Sequence, residues 1–92
     1  MLRILTEYKN RPNIEAELIA RGLDYTIYTA DGTWNGIKES SLVIEIEGAN
    51  LSKVASAAEA IRSMNDQQAV YVQCIPTELY SITEEGRKCL TI

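Results

Sequence analysis

The order in which apolar spacing switches along this chain restricts its fold more than any other feature. Leu2, Ile4, Thr6 and Tyr8 alternate with Arg3, Leu5 and Glu7, the period of two expected of a strand. Asn10-Arg11-Pro12-Asn13 breaks that pattern, with Asn13 as candidate N-cap. Ile14, Leu18 and Ile19 then recur at helical spacing, and Arg21-Gly22 supplies a basic last turn and a C-cap glycine. Tyr25–Ala30 is β-branched and aromatic, a second strand. Beyond a turn region over Asp31–Gly36, Leu42, Ile44 and Ile46 alternate with Val43, Glu45 and Glu47 in a third. Gly48-Ala49-Asn50 leads into a second helix with an apolar stripe of Leu51, Val54, Ala55, Ala58, Ile61 and Met64, closed by Asn65-Asp66. Gln68–Ile75 reads as the fourth strand, stopped by Pro76.

The order β-α-β-β-α-β predicts an α+β, ferredoxin-like sandwich. Right-handed crossovers place both helices on one face of a four-stranded antiparallel sheet. Ninety-two residues suit one domain over 1–92, with its core in about 1–76 and an extension over 77–92. The uncovered sheet face is expected to carry Tyr28, Val43, Glu45, Tyr71 and Gln73, a surface too apolar to be left wet, which points to a subunit interface. A domain this small buries only roughly two-thirds of its unfolded surface, which also favours sites shared between subunits.

Composition removes several function classes. A net charge of −4 argues against nucleic acid as a partner. The absence of histidine removes the commonest general base and metal ligand. Cys74 and Cys89 fit no metal or redox spacing and read as buried or half-buried thiols of a reducing compartment, with a disulfide between them left open. No metal site is expected. The opening MLRILTEYKN is too short and too charged for a signal peptide, and no run approaches the length of a membrane span. A cytoplasmic protein without membrane contact is therefore expected.

Four residues stand out as candidates. Trp34, the only tryptophan, is flanked by Gly32 and Gly36, whose backbone allows close approach of a ligand; its indole suits an adenine ring or a cation. It can equally be a lid on the core edge. In a hairpin whose turn centres near Trp34, Tyr28 and Glu39 fall almost opposite one another, so a phenol and a carboxylate could face one small polar group. Gln67 stands with Gln68 at the entry to the fourth strand, where the second helix ends, and its amide could orient a ligand or simply be a helix-terminal polar group.

Gly22-Leu23-Asp24-Tyr25-Thr26-Ile27-Tyr28, Gly32-Thr33-Trp34-Asn35-Gly36, Glu39, and Asp66-Gln67-Gln68-Ala69-Val70-Tyr71-Val72 together resemble the phage-encoded S-adenosylmethionine lyases, formerly described as S-adenosylmethionine hydrolases. The resemblance covers roughly residues 22–75; the tail beyond Ile75 lies outside it. It implies a homotrimer with sheets turned inward and sites between subunits, working in the cytoplasm of a host cell in an anti-restriction role. It also implies a reaction without water, metal or cofactor: the substrate's carboxylate attacks its own γ-carbon, giving methylthioadenosine and homoserine lactone. Glu39 would then hold a cationic or hydroxyl part of the substrate and Tyr28 its methionine portion. Gln67 would orient it by hydrogen bonds, and Trp34 would stack on the adenine. The alternatives are a non-catalytic ferredoxin-like trimer that binds an adenosine-like ligand, and an accessory protein acting by contact with a host protein.

Overall fold

A computed structural model describes residues 1–90, apart from the side chain of Trp34. Its elements are β1 (Leu2–Glu7), α1 (Arg11–Ala20), β2 (Tyr25–Trp34), β3 (Ile37–Ile46), α2 (Leu51–Met64), β4 (Tyr71–Cys74), β5 (Tyr80–Thr83) and β6 (Gly86–Cys89). The first four strands and β5–β6 form separate sheets, the larger in the order β2-β3-β1-β4 with every neighbour antiparallel. The fold is α+β, two helices on a four-stranded antiparallel sheet, and is compatible with a ferredoxin-like arrangement.

The alternation in the strands divides the residues between the two sheet faces. Ile4 and Thr6 of β1 and Leu42, Ile44 and Ile46 of β3 are buried against the helices. Ile14 and Leu18 of α1 and Val54, Ala57, Ala58 and Ile61 of α2 complete that core, which Leu23 closes at one side. Ile19, Leu51 and Met64 are exposed and do not join it, and Ala55 is exposed as well. A helix lying on a sheet buries one narrow stripe, and here the stripe of α2 runs through Ala57. Small residues at 57 and 58 let the helix backbone approach the strands.

The helix ends follow local chemistry. α1 begins at Arg11, earlier than Asn13 suggests, because Pro12 suits the first turn, where its missing N–H is not needed. Its other end is a Schellman motif: Gly22 N–H donates to the Ile19 carbonyl at 2.9 Å and Leu23 N–H to that of Leu18 at 3.1 Å. Gly22 has φ 67°, the left-handed conformation this motif requires. The Asn50 side chain caps α2 by accepting from Lys53 N–H at 2.8 Å.

The β2–β3 connection differs from the expected turn over Asp31–Gly36. Both strands run on to Trp34 and Ile37, which pair, leaving a two-residue loop of Asn35 and Gly36. Those residues have φ 51° and 77°, the paired positive values of a type I′ turn, whose twist matches the flanking strands. β1 pairs with β3 as far as Ser41, and Tyr8 N–H donates to the Ser40 carbonyl at 3.3 Å, so residues 32–39 project beyond it as a two-stranded arm.

The shorter β4 and the hairpin in the tail were not foreseen. Cys74 and Cys89 are exposed, which corrects the expectation of buried or half-buried thiols. Both lie on short strands outside the core.

Candidate functional site

Antiparallel pairing sets the uncovered face in rows across the sheet. Thr26, Glu45, Arg3 and Gln73 form one row, and Tyr28, Val43, Leu5 and Tyr71 the next. Ala30, Ser41 and Glu7 follow. All five residues assigned to this face from the sequence lie on it. The second row is an apolar stripe across all four strands, with Tyr28 41% and Tyr71 66% exposed. Val43, in the middle of that stripe, is buried.

Arg3 and Tyr28 converge on one carboxylate. Arg3 Nη2 and Nε donate to Glu45 Oε2 at 2.7 and 3.2 Å, and the Tyr28 hydroxyl donates to the same oxygen at 3.1 Å. The Arg3 hydrogen bonds, supported by that of Tyr28, hold the Glu45 carboxyl below its ordinary range. Partial desolvation raises Tyr28, and its bond to Glu45 raises it further. A carboxylate with a lowered folded-state value stabilises the protein above its unfolded value and loses that contribution as pH falls through the folded one. Tyr28→Phe removes one donor from Glu45 and leaves Arg3 in place. Its carboxyl is therefore expected to titrate at higher pH than in the wild type, yet still below an ordinary glutamate. A carboxyl-carbon NMR titration checks this, and an unchanged Glu45 curve would show that the phenol contributes nothing.

The type I′ turn is centred between Asn35 and Gly36, so each β2 residue meets a partner three positions further along β3 than a turn centred on Trp34 would give. Tyr28 consequently pairs with Val43, and Glu39 with Gly32. Four residues of β3 separate Glu39 from Val43, about 13 Å of strand, so Tyr28 and Glu39 do not face one group within a single chain. The carboxylate beside Tyr28 is Glu45. The side chain of Trp34 lies outside the described residues.

Glu39 and Gln67 do meet a common surface. A groove of about 430 Å³ at the end of the sheet is lined by Leu5, Thr6, Glu7, Glu39, Ser40, Ser41, Gln67, Gln68, Ala69 and Tyr71. Glu39 and Ser40 also line an adjoining hollow beside the projecting arm, with Asp31, Gly32, Thr33 and Lys38. Glu7 and Glu39 lie on the same face and are diagonal neighbours across β1 and β3, within roughly 8 Å. Neither carboxylate has an ion pair or hydrogen bond among the described residues, and no lysine or arginine lines the groove.

Gln67 forms the groove's inner wall and is only 5% exposed. Its Nε2 donates to Thr6 Oγ1 at 2.8 Å, while its Oε1 accepts from the Thr6 hydroxyl at 3.1 Å and Glu7 N–H at 3.3 Å. It fastens the segment that follows α2 to the end of β1. Gln68, exposed beside it, is the amide of the pair open to solvent. Asn65 makes a similar tie, donating to the Lys9 carbonyl at 3.1 Å and accepting from Asn10 Nδ2 at 2.7 Å.

Sequence reasoning did not single out Glu7, Tyr71 or Arg3 as site residues. The alternation of β1 placed Glu7 with Leu5 and Arg3, and that was the available signal. Among the described residues, no group of three His, Cys, Asp or Glu side chains is placed to hold a metal, and no helix is long and apolar enough to cross a membrane.

Fold and site together define a small α+β domain with an open sheet face and an acidic, aromatic-edged groove at one end of it. The chain matches no known protein-family model and no curated protein sequence.

Proposed function

We propose that the chain degrades S-adenosylmethionine by an intramolecular lyase reaction, as a ferredoxin-like oligomer with its open sheet faces turned inward. The groove carries this reading. Within one chain it offers two carboxylates without partners among the described residues, Glu7 and Glu39, beside the exposed ring of Tyr71, and no lysine or arginine lines the groove with them. S-adenosylmethionine carries a sulfonium, an ammonium and an adenine, which suit carboxylates and an aromatic face.

In the reaction one substrate carboxylate oxygen forms a bond to the γ-carbon as the γ-carbon–sulfur bond breaks. The electron pair of the broken bond neutralises the sulfonium, giving methylthioadenosine and homoserine lactone. No proton has to be taken from a nucleophile, so a chain without histidine can promote it. The protein's work is to fold the substrate into a near-attack geometry and exclude water. In this reading Glu39 holds the cationic part, Tyr71 and Gln68 border the substrate, and Gln67 keeps the wall in place. Tyr28, three strands away from Tyr71 in the stripe, joins a site only from a neighbouring subunit.

The separation of Tyr28 from Glu39 favours one second reading, in which the same groove binds an adenosine-like ligand without chemistry. Calorimetric titration with S-adenosylmethionine and with S-adenosylhomocysteine tests the charge argument common to both. The neutral thioether should bind at least about tenfold more weakly, a difference of roughly 1.4 kcal/mol. Equal affinities would remove the carboxylates' role and the cationic substrate with it.

A further inference from the structure

The tail beyond β4 leaves the sheet at the Leu2 end, where the Met1 amino group donates to the Ile75 carbonyl at 3.0 Å and to Thr77 Oγ1 at 3.2 Å. It then forms the β5–β6 hairpin, closed at its base by Leu90 N–H donating to the Leu79 carbonyl at 2.7 Å. Tyr80 pairs with Cys89 and Ile82 with Arg87, so these four residues share one face. Ile82 is 74% exposed, and the Arg87 guanidinium lies 5.6 Å from the centre of the Tyr80 ring. No other described element packs substantially against this hairpin.

A two-stranded hairpin standing alone in water is marginal, and this one presents an isoleucine and a tyrosine to solvent. The molecule is extended accordingly: its radius of gyration is 14.8 Å, against about 12 Å for a compact domain of this length. Among the described residues, no other element covers Ile82 on this hairpin face. The open sheet face has the complementary character. Its Leu5–Tyr71 stripe is apolar, and beside it stand Glu7 and Glu39, two carboxylates without partners among the described residues.

We propose that the β5–β6 hairpin is an exchange arm that lies on the open sheet face of a second copy of this chain. Tyr80 and Ile82 cover the stripe at Leu5 and Tyr71, and Arg87 comes to rest beside Glu7 at the rim of the groove. Reciprocal arms in a closed assembly cover every such face without leaving one unmatched. The arm also roofs the groove and so supplies the exclusion of water that an open sheet lacks. The proposal rests on the oligomeric part of the function given above and not on its chemistry.

Sedimentation of the full chain, of Ile82→Glu and of Arg87→Glu tests it. Ile82 lies outside the core, so the variants should keep the wild-type circular dichroism. The wild type is expected to sediment as an oligomer of 10.3 kDa chains. Each variant should raise the dissociation constant at least about tenfold, and Glu7→Arg combined with Arg87→Glu should recover much of the loss. In samples mixed from labelled and unlabelled chains, Ile82 methyls should show contacts to the Tyr71 ring across chains. An oligomer indifferent to Ile82→Glu, or contacts confined to one chain, would overturn the arm alone. A monomer at every concentration would overturn the arm and the shared site together, leaving ligand binding by the single-chain groove as a separate question.

Discussion

Glu39→Gln is expected to lower the rate of S-adenosylmethionine breakdown by about 10²–10³-fold, the usual effect of removing one electrostatic contact from a reacting centre. Glu39 is exposed and its carboxylate makes no ion pair or hydrogen bond among the described residues, so the substitution should leave stability close to that of the wild type. The change keeps shape and hydrogen-bonding capacity while removing the negative charge, and the loss can then be assigned to charge. Methylthioadenosine formation followed by chromatography measures it. Glu45→Gln on the same sheet face is the useful contrast, because Glu45 is already neutralised by Arg3 and lies on β3 on the far side of the stripe from Glu39. A Glu39→Gln enzyme that turns over at the wild-type rate would remove Glu39 from the site.

Gln67→Leu should act in the opposite way, on folding. The leucine fills a similar volume but leaves the Thr6 hydroxyl and the Glu7 N–H without their partner. Thr6 is buried, so its hydroxyl cannot turn to water for compensation. Stranding these groups costs about 3 kcal/mol, with a range set by how far water reaches the Glu7 amide. For a domain of this length that corresponds to a melting temperature lower by roughly 15 °C. Thermal unfolding by circular dichroism checks it. A variant with wild-type stability and weakened substrate binding would mean that Gln67 is a ligand-binding amide after all.

These two residues show what could be read in the chain before its fold was known. The strands and the face they leave open follow from alternation. A period of two leaves only two choices for each side chain, and the buried partners Leu42, Ile44 and Ile46 decide between them. Register was harder, because it depends on where the β2–β3 turn closes. Asp31-Gly32 and Asn35-Gly36 are both turn pairs, and only the second is used. Choosing a centre near Trp34 brought Tyr28 opposite Glu39; the real turn brings Tyr28 opposite Val43 and its hydroxyl to Glu45.

Helix faces were legible in part, and Ala55 of the expected stripe is exposed. Ile14, Leu18, Val54, Ala58 and Ile61 are buried as the spacing indicates, whereas Ile19, Leu51 and Met64 are apolar yet exposed. Apolar character alone does not say whether a neighbour is present to cover it. The role of Gln67 was hidden for a related reason. Its partners in β1 are about sixty positions away, a tertiary contact that no local pattern contains. The hairpin in the tail had a local signal in Tyr80-Ser81-Ile82-Thr83 followed by Glu84-Glu85-Gly86, an alternating run ending at a glycine with φ 110°.

The most direct measurement is to incubate the full chain with S-adenosylmethionine in water enriched in heavy oxygen and to identify the first-formed products by mass spectrometry. The account predicts methylthioadenosine together with homoserine lactone that carries no label, because the attacking oxygen comes from the substrate's own carboxylate. Label in the first-formed homoserine product would mean attack by water, and substrate recovered intact at high protein concentration would mean a groove that binds without reacting. Either result would contradict the lyase.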